Sequence, residues 1–334
     1  MYELLGVTLV LAMLLAVNAV ATAAAAGLWR LFKQPLLRCS ARTRAELLFV
    51  MRMGPPVIAI IWIVAFMIPS YLVYEPYTTD EFVSKKLGAL AAISAIGVMF
   101  AFWRGLRSWL ATRSLLKKWL RDATAIKLDG VNVPAFRLAH SFPIIAVVGT
   151  LRPRLFIAEH VLRLLSRDEL AAAVAHESGH MAARDNLKRS LLRASRAALL
   201  LIPCGRSLDR AWGEASEAAA DEYAAQHSSS VALNLASALV RIARLIPADE
   251  RVVMPSSAFL VGGEETRGVK ARVRRLVELA SADPGFVVTI APLFRFAQWF
   301  VLTAVVVLAL TVDSHPRVLA NVHFFVEHVV AFLS

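Results

Sequence analysis

Four apolar stretches, roughly Leu4 to Trp29, Pro56 to Tyr74, Leu87 to Trp103 and Phe286 to Val312, set the first limit on what this chain can fold into. A bilayer core of about 30 Å takes roughly 20 apolar residues of helix to cross. The third stretch is the shortest, and the other three are near or above that length. Inside hydrocarbon every backbone N–H and C=O must be paired, which leaves helices as the natural spanning element. Composition agrees, with 58% hydrophobic and 19% charged residues, against about half and about a quarter in soluble domains. The expected fold is an α-helical membrane protein of about four transmembrane helices, with an α+β domain inserted before the last. The boundaries fall at 1–114 for three helices and their basic loops, 115–285 for the inserted domain, and 286–334 for the fourth helix and a short outer tail.

The charges orient these helices. Arg30, Lys33, Arg38, Arg42, Arg44 and Arg52 follow the first stretch, whereas only Met1, Tyr2 and Glu3 precede it. That asymmetry argues against a cleaved signal peptide, despite the small residues Ala21 to Ala26. By the positive-inside rule the N-terminus is outside and the first loop cytoplasmic. The loop with Glu75, Asp80, Glu81, Lys85 and Lys86 suits the outer side. Arg104, Arg107, Arg113, Lys117, Lys118 and Arg121 then place the inserted domain in the cytoplasm. Localisation is therefore read as a multi-pass cell membrane protein in contact with the lipid bilayer. The net charge of +12 clusters where anionic headgroups attract it, so nucleic acid is not an expected partner. Cys39 and Cys204, far apart and outside any C-x-x-C, are read as free thiols.

Within the inserted domain, His176-Glu177-Ser178-Gly179-His180 is an H-E-x-x-H motif. Histidines four positions apart share one face of a helix and can converge on one metal. The intervening glutamate can take a proton from a metal-bound water, which makes Glu177 the expected catalytic base. Ser166-Arg167-Asp168-Glu169 is a capping box that starts this helix ahead of the motif. A catalytic zinc needs a third protein ligand and an open position. Glu217, on a second alanine-rich helix, is the candidate, with Glu214 and Glu222 as rivals. Asp221, one turn further on, could hold a ligand histidine's other ring nitrogen. Asp185 more plausibly anchors the end of the motif helix, and is kept as a residue supporting a ligand from behind. The cofactor is one Zn²⁺ per chain.

These residues carry a resemblance. Leu165 to Leu170, His176 to His180 with Asp185, and Glu217-x-x-x-Asp221 resemble the gluzincin-type integral membrane peptidases, and within them look most like the BlaR/MecR-type antirepressor peptidases. The segments Val148 to Ile157 and Val269 to Leu276 are similar to the extended piece before the motif helix and the basic stretch before the last span in those proteins. HtpX-type and CAAX-protease-type peptidases share the same motif pieces. The resemblance implies an integral membrane zinc endopeptidase acting on a protein or peptide substrate on the cytoplasmic side, with a repressor as one such substrate. BlaR/MecR-type sensors carry a large outer β-lactam-binding domain after the fourth span, whereas here only Asp313 to Ser334 remain, with no S-x-x-K. A separate sensor partner would then supply the signal. The alternatives are a transducer that uses the zinc fold without proteolysis, or a quality-control or processing peptidase.

Ala125 to Leu128, Pro134 to Leu138, Ile144 to Val148 and Arg154 to Ile157 read as strands, with Asp129-Gly130 and Gly149 to Pro153 as turns. Arg154 to Ala158 is the expected edge strand beside the motif helix, where substrate backbone would add. Tyr223, His227, His140 and His160 are candidates for an oxyanion donor. The tail, with Phe324, Phe325, Val329, Val330, Phe332 and Leu333, suits a short amphipathic helix on the outer surface.

Overall fold

The computed structural model describes residues 2–76, 83–128, 131, 133–198, 205–226, 228–245, 265–281, 303 and 316–333. Among the described residues, three helical rods are long and apolar enough to cross a membrane: Tyr2–Leu36, Ala41–Tyr74 and Lys85–Asp122. The first is α1. The second runs as α2 (Ala41–Trp62), a π-helical turn (Ile63–Met67) and α3 (Ile68–Tyr74), and the third is α4 (Lys85–Asp122). Val64, Leu72, Met99 and Phe102 are among the large apolar side chains left exposed on them, a surface suited to lipid. The fourth apolar stretch, Phe286 to Val312, lies outside the described residues apart from Thr303. The basic residues 105–120 do not begin a separate element. They continue the third candidate span into the inserted domain as one 38-residue helix, which Ser84 caps by accepting from Leu87 N.

A small mixed sheet follows: β1 (Ala123–Ile126), β2 (Ala135–Leu138), β3 (Ile145–Val148) and β4 (Arg154–Ala158). The spatial order is β1-β2-β4-β3, with β2 and β4 parallel and the other two pairs antiparallel. This corrects the sequence reading of the edge. β4 is central, paired with β2 on one side and β3 on the other, so it has no free edge for substrate backbone. The edge beside the motif helix is β3. The chain reverses between β3 and β4 through Gly149, whose φ is +109°. A Cβ there would lie 2.7 Å from the Arg152 carbonyl oxygen, so only glycine fits.

Seven helices complete the described residues: α5 (Glu159–Leu164), α6 (Arg167–Ala183), α7 (Asp185–Ala198), α8 (Gly205–Ala225), α9 (Ser229–Leu245), α10 (Glu265–Ser281) and α11 (Pro316–Leu333). One core joins the sheet to α6, α9 and α10 through Val148, Phe156, Ala173, Leu235, Leu239 and Leu276. A second, with Trp29, Leu48, Leu192, Leu208 and Trp212, packs the candidate spans onto α7 and α8. Arg52, 1% exposed, crosses that boundary and donates to Asp209 Oδ1 at 2.9 Å and Ser195 Oγ at 2.8 Å. The tail helix α11 does not lie alone on a surface. Its Val326 is buried among Leu5, Leu9, Met67 and Tyr71 of the spans.

The capping box forms as the sequence requires. Ser166 Oγ accepts from Glu169 N at 3.2 Å, and Glu169 Oε2 accepts from Ser166 N at 2.8 Å. Glu169 also fastens α6 to α9, where Oε1 accepts from Ser237 Oγ at 2.6 Å and meets Arg241 Nε at 3.1 Å. Burial alone would raise its pKa. The Ser237 and Ser166 hydrogen bonds and the Arg241 charge outweigh burial and leave it lowered. A carboxylate depressed on folding stabilises the fold above its unfolded value and loses that contribution as pH falls through the folded one. Glu169→Gln is therefore expected to cost about 1–2 kcal/mol at neutral pH. Comparing urea midpoints should show the gap to wild type closing as pH drops below about 4.

Candidate metal centre

Helix α6 delivers both motif histidines to the same place, since residues one turn apart stack on one face. Their rings lie 4.8 Å apart at 89° to one another. Each Nδ1 is taken from behind by a carboxylate. Asp221 Oδ1 lies 2.9 Å from His176 Nδ1, and Asp185 Oδ2 lies 2.7 Å from His180 Nδ1. Asp185 also accepts from Ser216 Oγ at 2.7 Å, so the start of α7 and the middle of α8 jointly fix the His180 ring. That leaves both Nε2 atoms facing Glu217 of α8, each 3.6 Å from one of its oxygens.

Zinc bonded to nitrogen and oxygen at about 2.0–2.1 Å would hold tetrahedral donors roughly 3.3 Å apart, near the 3.6 Å from each Nε2 to a Glu217 oxygen. Burial points the same way. His180 Nε2 and Glu217 Oε2 are buried without a hydrogen bond, an expensive state unless an ion completes them. The donor atoms of His176, His180 and Glu217 all lie within 4.8 Å of one another. Of the rival glutamates, Glu214 is exposed. Glu222 is committed elsewhere, accepting from Ala41 N at 2.9 Å and pairing with Arg275.

Glu177 stands beside the trio. It is 2% exposed, its Oε2 accepts from Val147 N at 3.2 Å, and its Oε1 is buried without a partner. Burial pushes its carboxyl above the ordinary range, while the two histidines pull it down. His180 goes the other way. Burial lowers it, but the Glu217 charge, the Asp185 hydrogen bond and the Glu177 charge raise it to about 10. A cation is strongly favoured at this point of the fold. Desolvation likewise opposes Glu217, which the charges on His180 and Arg272 hold well below the usual carboxylate range.

Arg272 of α10 is the functional neighbour that sequence reasoning missed, having been counted only as part of a basic stretch. Its Nη2 and Nε grip Asp221 at 2.7 and 3.1 Å, and its Nη1 reaches Glu217 Oε2 at 3.2 Å without hydrogen-bond alignment. Among the oxyanion candidates, His140 Nδ1 accepts from Phe142 N at 3.0 Å and its ring meets Trp119 edge-on, a structural role. His160 lies on α5, and His227 is outside the described residues. Tyr223 packs against the motif helix. A Cβ on Gly179 would fall 3.1 Å from Ala220 Cα and from Tyr223 Cβ. Neither atom can rotate away, so Gly179→Ala should displace α8 by a few tenths of an ångström and carry Glu217 with it. Helix propensity repays about 1 kcal/mol of that strain. The expected result is a metal affinity about tenfold weaker with Tm changed by only a few degrees, read by chelator competition and thermal scans.

A cavity of about 270 Å³ opens onto Glu177 and His180, walled by Val147, Gly149, Leu151 and Asn186. A buried base, a three-donor cluster and an adjoining cleft on a strand edge together form a hydrolytic constellation. The model of peptidase family M48 matches residues 146–319, just over half of the chain. The chain belongs to peptidase family M48. That makes it a metallopeptidase by family, and its three long apolar helices are compatible with association with a membrane. No curated protein matches the chain.

Proposed function

We propose that this M48 peptidase is a membrane-embedded zinc endopeptidase that cuts a protein substrate held along β3. In this reading His176, His180 and Glu217 are the ligands, Asp221 and Asp185 orient the two rings, and Glu177 is the general base. The convergence of three metal-donor residues, with His180 Nε2 and Glu217 Oε2 buried and without a hydrogen bond, carries the reading. A bound zinc would acidify a water and polarise the scissile carbonyl. The protein's own residues do the rest. Glu177 Oε1 accepts the proton of the attacking water and returns it to the leaving nitrogen.

Antiparallel pairing turns alternate residues of β3 away from β4. Ala158 N donates to the Ile144 carbonyl, which turns the backbone of Ile145, Val147 and Gly149 away from β4 to the outer edge, where Val147 N donates to Glu177 Oε2. Asn186 Nδ2 donates to the Val147 and Gly149 carbonyls at 2.9 and 3.1 Å and stiffens that edge. In this reading an extended substrate enters through the cavity beside Gly149 and Leu151, pairs with the remaining lone pairs of the Val147 and Gly149 carbonyls, and brings its own carbonyl between Glu177 and the metal ligands. The basic flanks of the candidate spans favour a cytoplasmic centre. Resemblance to the BlaR/MecR-type peptidases favours a regulatory substrate such as a repressor, with a separate sensor supplying the signal. Processing or quality control of membrane proteins is the second reading.

Metal analysis of the purified chain tests the centre directly. His180→Ala and Glu217→Ala should each contain one zinc fewer per chain than wild type. Unchanged zinc in both would reject the assignment.

A further inference from the structure

The far end of the second candidate span carries a second convergence of metal donors. Glu75 follows α3 and is 7% exposed, although it is a carboxylate. His323 and Glu327 stand four positions apart on α11, one turn along the same face. Donor atoms of all three lie within 4.8 Å of one another. We propose that Glu75, His323 and Glu327 form a Zn²⁺ site that clamps α11 to the end of the second candidate span, on the membrane face opposite the peptidase centre.

The placement is built by more than the three ligands. Ser70 Oγ donates to the Leu319 carbonyl at 2.9 Å, and Tyr74 OH donates to the Pro316 carbonyl at 2.8 Å. The Tyr74 ring stacks on His323 at 5.8 Å, and Val326 is buried among the spans. Residues 316, 319, 323 and 327 thus make one stripe of α11, docked along 70, 74 and 75. Among the described residues no lysine or arginine forms an ion pair with Glu327, so that carboxylate is open to an added cation. One imidazole nitrogen and two carboxylate oxygens suit a borderline cation such as Zn²⁺, whereas calcium and magnesium prefer all-oxygen shells. The second candidate span has 34 residues, so at about 1.5 Å per residue its two ends lie roughly 50 Å apart. Its near end is tied to α8 through Ala41 N and Glu222. The two sites are therefore separate, and each can be emptied without touching the other.

The full chain in detergent, stripped with chelator and reloaded with Zn²⁺ alone, provides the test. Wild type should hold two zinc ions per chain. Glu327→Gln, nearly isosteric and still able to fold, should hold one, as should His323→Ala. Combining Glu327→Gln with His180→Ala should leave none. In the His180→Ala background, added Zn²⁺ should still raise Tm, and Glu327→Gln should weaken that Zn²⁺ response at least tenfold in midpoint concentration. One zinc in wild type that His180→Ala removes and Glu327→Gln keeps, or two in both Glu327→Gln and His323→Ala, would overturn the proposal. Loss of zinc by Glu327→Gln but not by His180→Ala would instead refute the peptidase centre and leave this site standing.

Discussion

Glu177→Gln is expected to lower peptidase turnover by about 10³-fold or more while leaving the zinc content and fold of the M48 domain unchanged. The separation is possible because Glu177 is not one of the three converging donors. It touches the strand instead, through Val147 N at 3.2 Å. Glutamine can keep that contact with its carbonyl oxygen, so the cleft wall should not move. What it cannot do is accept a proton at the position of Oε1, the atom that is buried and without a partner. General-base catalysis contributes typically 10²–10⁴-fold, and the same carboxylate also serves the leaving nitrogen, so the upper part of that range applies. The measurement pairs single-turnover cleavage of a reporter peptide with metal analysis on the same preparation. Cleavage at the wild-type rate by a zinc-loaded variant would remove Glu177 from the chemistry. Loss of zinc together with activity would show that it holds the site rather than acting in it.

Much of this centre is visible in the sequence because its geometry is local. His176, Glu177 and His180 share a helix whose start is signalled by Ser166 and Glu169, and helical spacing alone places the two rings together. Glu217 and Asp221 are also one turn apart, so naming one suggests the other. The choice among Glu214, Glu217 and Glu222 needed the fold, because only the packing of α8 on α6 decides which face of that helix meets the histidines. The same limit explains the edge strand. Four short apolar runs announce a sheet, but their order is set by a crossover between β2 and β4, and no periodicity encodes it. β4 has a paired strand on each side, whereas the outer edge of β3 is met by side chains of α6 and α7. Arg272 was the hardest to see. In sequence it is one of several cations in Val269 to Leu276, and charge runs usually lie on solvated faces. Its meaning comes from tertiary contact between α10 and α8.

Arg272→Leu is expected to be the most destabilising single change near the centre. Asp221 is fully buried, and its carboxylate is balanced by a bidentate guanidinium and by His176. Burial opposes its charge, yet Arg272 foremost, with His176, holds its pKa at about 2. Removing one member of a buried ion pair typically costs 3–5 kcal/mol, because the other charge stays behind without compensation. Two responses are open to Asp221. It can take up a proton, or it can turn away from the site, and in either case it no longer polarises His176 Nδ1. Either route weakens zinc binding, by the 10–100-fold usual for losing a partner behind a metal ligand. Glu217 loses a cation at 3.2 Å as well, which leaves Arg189 at 3.6 Å and the metal to balance its charge. Arg272→Lys separates charge from geometry. Lysine keeps the positive charge but not the planar fork, so it should recover part of the lost stability and little of the zinc affinity. Chemical denaturation with and without chelator, alongside zinc competition, reads both quantities. If Arg272→Leu unfolds at the wild-type denaturant concentration and binds zinc equally well, the guanidinium is a bystander and Asp221 must be balanced by His176 alone.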